Sequence, residues 1–229
     1  MFDLTFTVID TRSAATPLTL AIDQAVLAGW TGRDPLARDK HIAELEAIGI
    51  ARPATTPIYY RVSARRLTLA DSIEVCGNDS SGEVEFVLIG WQGRTFVGLG
   101  SDHTDRKVES YSITVSKQMY DKPMASVLWE LEDVIGHWDR MILRSFAVTA
   151  GKRELYQEGT LEAMLSVEEL IKRGFEGGML PDGCVMFGGT FAAKGGIRPA
   201  DRFEYELEDP VLKRSIRHAY DVITMPIRG

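Results

Sequence analysis

Glu83 and Glu85 stand two residues apart in Gly82-Glu83-Val84-Glu85-Phe86-Val87-Leu88-Ile89-Gly90, and Asp102 follows seventeen residues after Glu85. The segment is rich in strand formers and closed by glycine, so it reads as a strand. A strand has a period of two, which points both glutamates to one face. Turning two carboxylates inward is costly unless a cation neutralises them. Asp102 comes after the next strand-like run, residues 95–99, and would complete an oxygen-only site suited to Mg²⁺ or Mn²⁺. The alternative is an exposed strand face carrying ordinary surface charge.

Other residues have a chemical reading beside a structural one. His41-Ile42-Ala43-Glu44 places an imidazole and a carboxylate three residues apart, on one face of a helix. Glu44 can then hold His41 in a basic tautomer, or the pair is solvated surface. Thr190 follows Gly188-Gly189, where exposed backbone N–H groups suit a carboxylate or oxyanion, or where a tight turn simply needs glycine. Lys117 and Arg106 are by default an exposed lysine and a surface salt bridge. His103 adjoins Asp102 but faces away from it in an extended chain. His137 reads as packed beside Trp138. Cys76 and Cys184 form no CxxC and have no histidine close in sequence. No GxGxxG, P-loop or GxSxG pattern occurs.

Elements must position these groups. Residues 1–10 and 17–20 read as a hairpin and residues 21–29 as a helix with Ile22, Ala25, Val26 and Ala28 on its apolar face. Residues 31–35 form a turn, and residues 36–48 a helix ending at Gly49. Strands are expected at residues 58–62, 72–75 and 83–89, and a long helix from Ala125 to about Met141. A hairpin over residues 142–148 and 153–156 precedes a helix from Leu161 to Arg173, with Thr160 as N-cap. Strands return at 184–187, 202–207 and 219–223. The sum is a β-rich α+β chain.

Composition narrows the function. The chain has 229 residues, 45% of them hydrophobic and 26% charged, enough for a sizeable core. A net charge of −7 argues against a general nucleic-acid binder. No run approaches the length of a membrane span, and residues 1–10 lack the basic start and apolar stretch of a signal peptide. A reduced, cytoplasmic protein with two structural thiols is the expectation.

The C-terminal third carries a family resemblance. Leu180-Pro181-Asp182-Gly183-Cys184-Val185-Met186-Phe187-Gly188-Gly189-Thr190-Phe191 is followed by Gly195-Gly196-Ile197-Arg198-Pro199-Ala200-Asp201-Arg202-Phe203-Glu204-Tyr205. This resembles the fumarylacetoacetate hydrolase superfamily, in which a strand ends in Gly-Thr-Pro before a glycine turn, Pro-Gly-Asp and another strand. Phe191 stands at the proline, Ala200 at the glycine, and Ser101-Asp102-His103 at the more usual Asn-Asp pair. The resemblance runs from about residue 30 to the end. It implies a mixed β-sheet roll or barrel with flanking helices, a small N-terminal portion over residues 1–55, a catalytic domain over residues 56–229, and a homodimer.

The resemblance also assigns roles. Glu83, Glu85 and Asp102 look like the family's metal ligands, and His41 with Glu44 like its His-x-x-Glu dyad. Lys117 resembles the active-site lysine, and Arg106, Gly189 and Thr190 look like substrate-binding residues. The implied activity is Mg²⁺- or Mn²⁺-dependent hydrolysis of a C–C bond in an acylpyruvate or 1,3-diketone. Decarboxylation, isomerisation or hydration of a 2-oxo acid at the same site is the alternative, and a non-catalytic metal-binding scaffold a further one.

Overall fold

The structure, a computed structural model, describes residues 1–11, 15–47 and 52–228, without the side chains of His41, Glu44, Leu45 and Ala47. The first strands are β1 (Phe2–Val8), β2 (Thr16–Ile22), β3 (Gln24–Gly29), β4 (Ile58–Val62) and β5 (Ser72–Cys76). Then come β6 (Val84–Trp91), β7 (Arg94–Ser101), β8 (Val127–Glu130), β9 (Ile142–Thr149) and β10 (Lys152–Thr160). β11 (Cys184–Phe187), β12 (Arg202–Asp209) and β13 (Arg214–Met225) complete the longer strands, beside two short two-stranded pairings. The helices are α1 (Pro35–Ala47), α2 (Arg106–Glu109), α3 (Ile113–Met119), α4 (Leu131–Val134) and α5 (Val167–Gly174).

An eight-stranded mixed sheet runs β2-β1-β8-β7-β6-β11-β3-β4, and a five-stranded sheet runs β10-β9-β12-β13-β5. The larger sheet is curled into a half-barrel, making a strand-rich α+β fold. β6 shows why. Phe86 and Leu88 join one core with Leu143, Phe203 and Tyr220 of the five-stranded sheet. Val87 and Ile89 join a second core with Phe6, Leu20 and Phe187. A strand buried on both faces reads as an unbroken apolar run.

Three expected helices are altered, two by strand pairing and one by its cap. Residues 24–29 are strand β3, parallel to β11 and antiparallel to β4. Its Ala25 and Leu27 enter one core and Val26 and Ala28 the other, which mimics helical spacing in a short run. The helix expected from Ala125 to Met141 begins as β8, whose Trp129 pairs with Val97 of β7. Only α4 and a 3₁₀ segment, Ile135–Arg140, are helical there. The helix expected from Leu161 starts later, as α5, because Ser166 caps it by accepting from Glu169 N at 3.2 Å. Thr160 makes no cap bond and ends β10. The expected hairpins pair as read, β1 with β2 and β9 with β10. Gly49 lies outside the described residues.

Candidate metal centre

The β6–β7 pair builds the acidic cluster. Its register sets Val84 opposite Ser101 and Glu85 opposite Gly100, so Glu83 falls opposite Asp102. The Asp102 N–H donates to Glu83 O at 2.9 Å, one step beyond the strands. Opposed residues of an antiparallel pair share a face, and i, i+2 residues do too. One carboxylate oxygen of each of Glu83, Glu85 and Asp102 therefore lies within 4.8 Å of the others. The cluster is no exposed face: Asp102 and Glu85 are buried, and Glu83 is 21% exposed at its side chain.

Cations surround it unevenly. Asp102 is held by Lys117 Nζ on Oδ2 and by Lys122 Nζ on Oδ1, the latter at 3.0 Å. Burial alone would raise the Asp102 carboxyl, but the two ammonium groups outweigh it and hold it well below the usual range. Burial likewise opposes charge on Lys117, yet Asp102 and Glu83 keep its proton on more firmly than usual. Lys122, with no exposed surface, is pulled down by burial, and it also donates to His103 O at 2.6 Å. Arg106 pairs with Glu83 at 3.3 Å and Glu109 at 2.8 Å, and donates to Ser81 Oγ at 2.7 Å. These carboxylates outweigh its burial and keep it protonated.

Glu85 has none of these partners. It accepts a hydrogen bond from Gly189 N at 2.6 Å. Burial first, then the charge of Asp102, pushes its carboxyl well above the ordinary value. A hard divalent ion between the three carboxylates would supply the missing positive charge through oxygen donors of the preferred type. The donor set fits such an ion.

A second strand end completes the floor. After β11, Gly188 N donates to Phe86 O, and Gly189 adopts φ 105°. Thr190 Oγ1 donates to Val84 O at 2.6 Å and accepts from Gln157 Nε2 at 2.7 Å. Gln157, buried on β10, also donates to Phe191 O at 2.6 Å and accepts from Val84 N at 3.0 Å. The Thr190 hydroxyl thus fastens the glycine turn to β6.

Above the cluster lies a cavity of about 960 Å³, lined by Glu83, Glu85, Asp102, Arg106, Lys117, Gly189 and Thr190. Trp30, Tyr60 and Phe191 supply aromatic walls, and Arg38 on α1 also reaches it. Trp30 holds the left-handed φ of 58°, a conformation unusual for a bulky residue. The structure thus brings together seven sequence-predicted residues: Glu83, Glu85, Asp102, Arg106, Lys117, Gly189 and Thr190. The His41 and Glu44 side chains fall outside the described ones, although both residues lie in α1.

His103 faces the other way, with Nδ1 2.9 Å from Tyr220 Oη and Nε2 2.8 Å from Ser80 Oγ. Burial, then Lys122 and Arg106, lower its pKa to about 3 and keep it neutral, and with both ring nitrogens engaged by these hydroxyls it is a strut rather than a member of the acidic cluster. His137 bonds to Asp209 Oδ1 at 2.9 Å, away from the cavity. Lys122 and Gln157 are the residues that motif reading misses. A lysine in Asp121-Lys122-Pro123 has no local sign of burial; only the short pairing of residues 122–123 with Leu67–Thr68 buries it.

The sequence matches the family described as "Protein of unknown function (DUF2848)" over residues 28–220. No curated protein matches it. Among solved structures, Cg1458 with inhibitor superposes at a TM-score of 0.65 and 12% identity, covering 97% of this chain and 90% of that one. 2-Keto-3-deoxy-D-arabinonate dehydratase complexed with magnesium and 2,5-dioxopentanoate gives a TM-score of 0.64 at 15% identity, covering 90% and 75%. At these identities the likeness is one of fold.

Proposed function

The chain belongs to the DUF2848 family, and we propose from its site that it is a divalent-metal-dependent enzyme acting on a 2-oxo acid or 1,3-dicarbonyl compound. The observation that carries this reading is the three carboxylates converging within 4.8 Å at the floor of a large cavity. A bound Mg²⁺ or Mn²⁺ would supply Lewis acidity toward two adjacent substrate oxygens.

The remaining work falls to the chain's own groups. Lys117 lines the cavity as a retained cation, able to offset negative charge that develops on substrate oxygen. Arg106 holds Glu83 in place, and the Gly189 N–H holds Glu85. His41, oriented by Glu44, would take a proton from the water that attacks the distal carbonyl. The C–C bond then breaks, its electron pair passes into the 2-oxo fragment, and a proton returned to that carbon gives a carboxylic acid and a 2-oxo acid.

A second reading is dehydration, decarboxylation or isomerisation of a 2-oxo acid. Decarboxylation, which needs no base, is favoured by the two described basic groups that line the cavity beside the cluster, Lys117 and Arg106, which are held protonated and so suit charge stabilisation rather than proton abstraction. A homodimer, implied by the family resemblance, would be read by sedimentation.

The test is release of pyruvate or CO₂ from acylpyruvates and oxaloacetate with Mg²⁺, in the wild type and His41→Ala. Hydrolysis lost in the variant supports the first reading, and decarboxylation that survives it supports the second. Calorimetric titration showing no binding of Mg²⁺ or Mn²⁺ would sink both.

A further inference from the structure

We propose that Arg38 receives a second anionic group of the substrate, so that the cavity selects a 2-oxo acid whose far end carries a carboxylate. The proposal rests on the reading of the acidic cluster as the site for the near end. A cavity of about 960 Å³ is at the upper end of the usual range for small-molecule sites, which leaves room beyond the cluster for several carbons. Apolar side chains such as Ile113, Phe191 and Ile197 line it and suit such a body.

The basic side chains lining the cavity among the described residues are Arg33, Arg38, Arg106 and Lys117. Three are committed to the protein. Lys117 is on Asp102, and Arg106 is on Glu83, Glu109 and Ser81. Arg33 forks onto both oxygens of Asp139 at 2.7 and 2.6 Å and donates to Met164 O.

Arg38 differs. Its side chain is only 15% exposed, yet its acceptor among the described residues is a single oxygen of the adjacent Asp39, at 3.2 Å from Nε and 3.1 Å from Nη2. Asp39 is itself 55% exposed and so a weak partner. A guanidinium has five N–H donors in a planar fork that matches a carboxylate. Most of that capacity points to no described protein acceptor. Of the nearby acids, Asp34 Oδ1 accepts from Leu36 N and Ala37 N at the start of α1 and Glu162 lies in the field of Arg33, and among the described residues neither makes an ion pair with Arg38.

The experiment compares 2-oxoadipate with 2-oxohexanoate, which differ at the far end, by calorimetric titration with Mg²⁺ and again with EDTA. Wild type should prefer the dicarboxylate by roughly ten- to a hundredfold, the scale of a charge-assisted contact. The ratio should collapse in Arg38→Met, persist in part in Arg38→Lys, and rise in Asp39→Asn, which frees the fork. Melting temperatures establish that each variant is folded. Equal affinities in the wild type, or a ratio that survives Arg38→Met, would overturn the assignment. Metal-dependent binding without preference would sink Arg38 alone, whereas an Arg38-dependent preference that ignores EDTA would sink the metal reading alone. Binding of neither acid under either condition would count against both.

Discussion

Asp102 carries two ammonium groups, and the second of them, Lys122, has no exposed surface. Removing one partner of a buried ionic cluster is costly because the other charge stays behind in a poor solvent. Lys122→Met is expected to lower stability by about 3 kcal/mol in urea unfolding, even though Lys117 remains on Asp102. A change within experimental error would show that water reaches this side of Asp102. Cys184 makes a different prediction. Burial pushes its thiol up to about 12 from an ordinary value of 9.0. Above pH 9 the unfolded thiol loses its proton while the folded one keeps it, so the folded state binds more protons. Stability from this group is therefore complete below pH 9 and is lost as the pH climbs toward 12, by about 1.4 kcal/mol per unit. The Cys184→Ala variant should show a correspondingly shallower alkaline slope, and identical slopes would refute the assignment.

Among the elements, the turn after β11 is the least tolerant of change. A Cβ on Gly189 would lie 1.9 Å from Thr31 Oγ1, and the residue's φ of 105° disfavours any side chain. Gly188 is equally tight against the ring of Phe86, at 2.0 Å. Gly189→Ala should cost about 2–3 kcal/mol, since backbone strain and overpacking add. It should also weaken Mg²⁺ binding, because the N–H that orients Glu85 moves. Thermal unfolding and calorimetry read the two effects separately, and a variant stable but unable to bind metal would show that the turn serves the site more than the fold.

For the molecule as a whole, the acidic cluster sits where the curled sheet meets the helical segments that follow β3 and β7, so ion binding and folding are linked. A ligand bound only by the folded state adds about 2.7 kcal/mol at a hundred times its dissociation constant. Saturating Mg²⁺ should raise the melting temperature, and EDTA should abolish the rise. Equal melting curves would mean that the three carboxylates hold no ion, with Glu85 retaining its proton instead.

The sequence by itself placed Glu83 and Glu85 on one face and marked most of the strands, because a period of two is written into residues 83–89, whereas the grouping of Asp102 with them as metal ligands was implied by the family resemblance. It also determined that His103 turns away from Asp102. It did not separate β3 or β8 from helices, since a strand buried on both faces loses its alternation and only its neighbours in the sheet identify it. Tertiary structure alone decided that Lys122 is buried on Asp102, that Gln157 ties the glycine turn to β6, and that Arg38 reaches the cavity. Each of these joins residues far apart in the chain, and neither local spacing nor residue type carries that information.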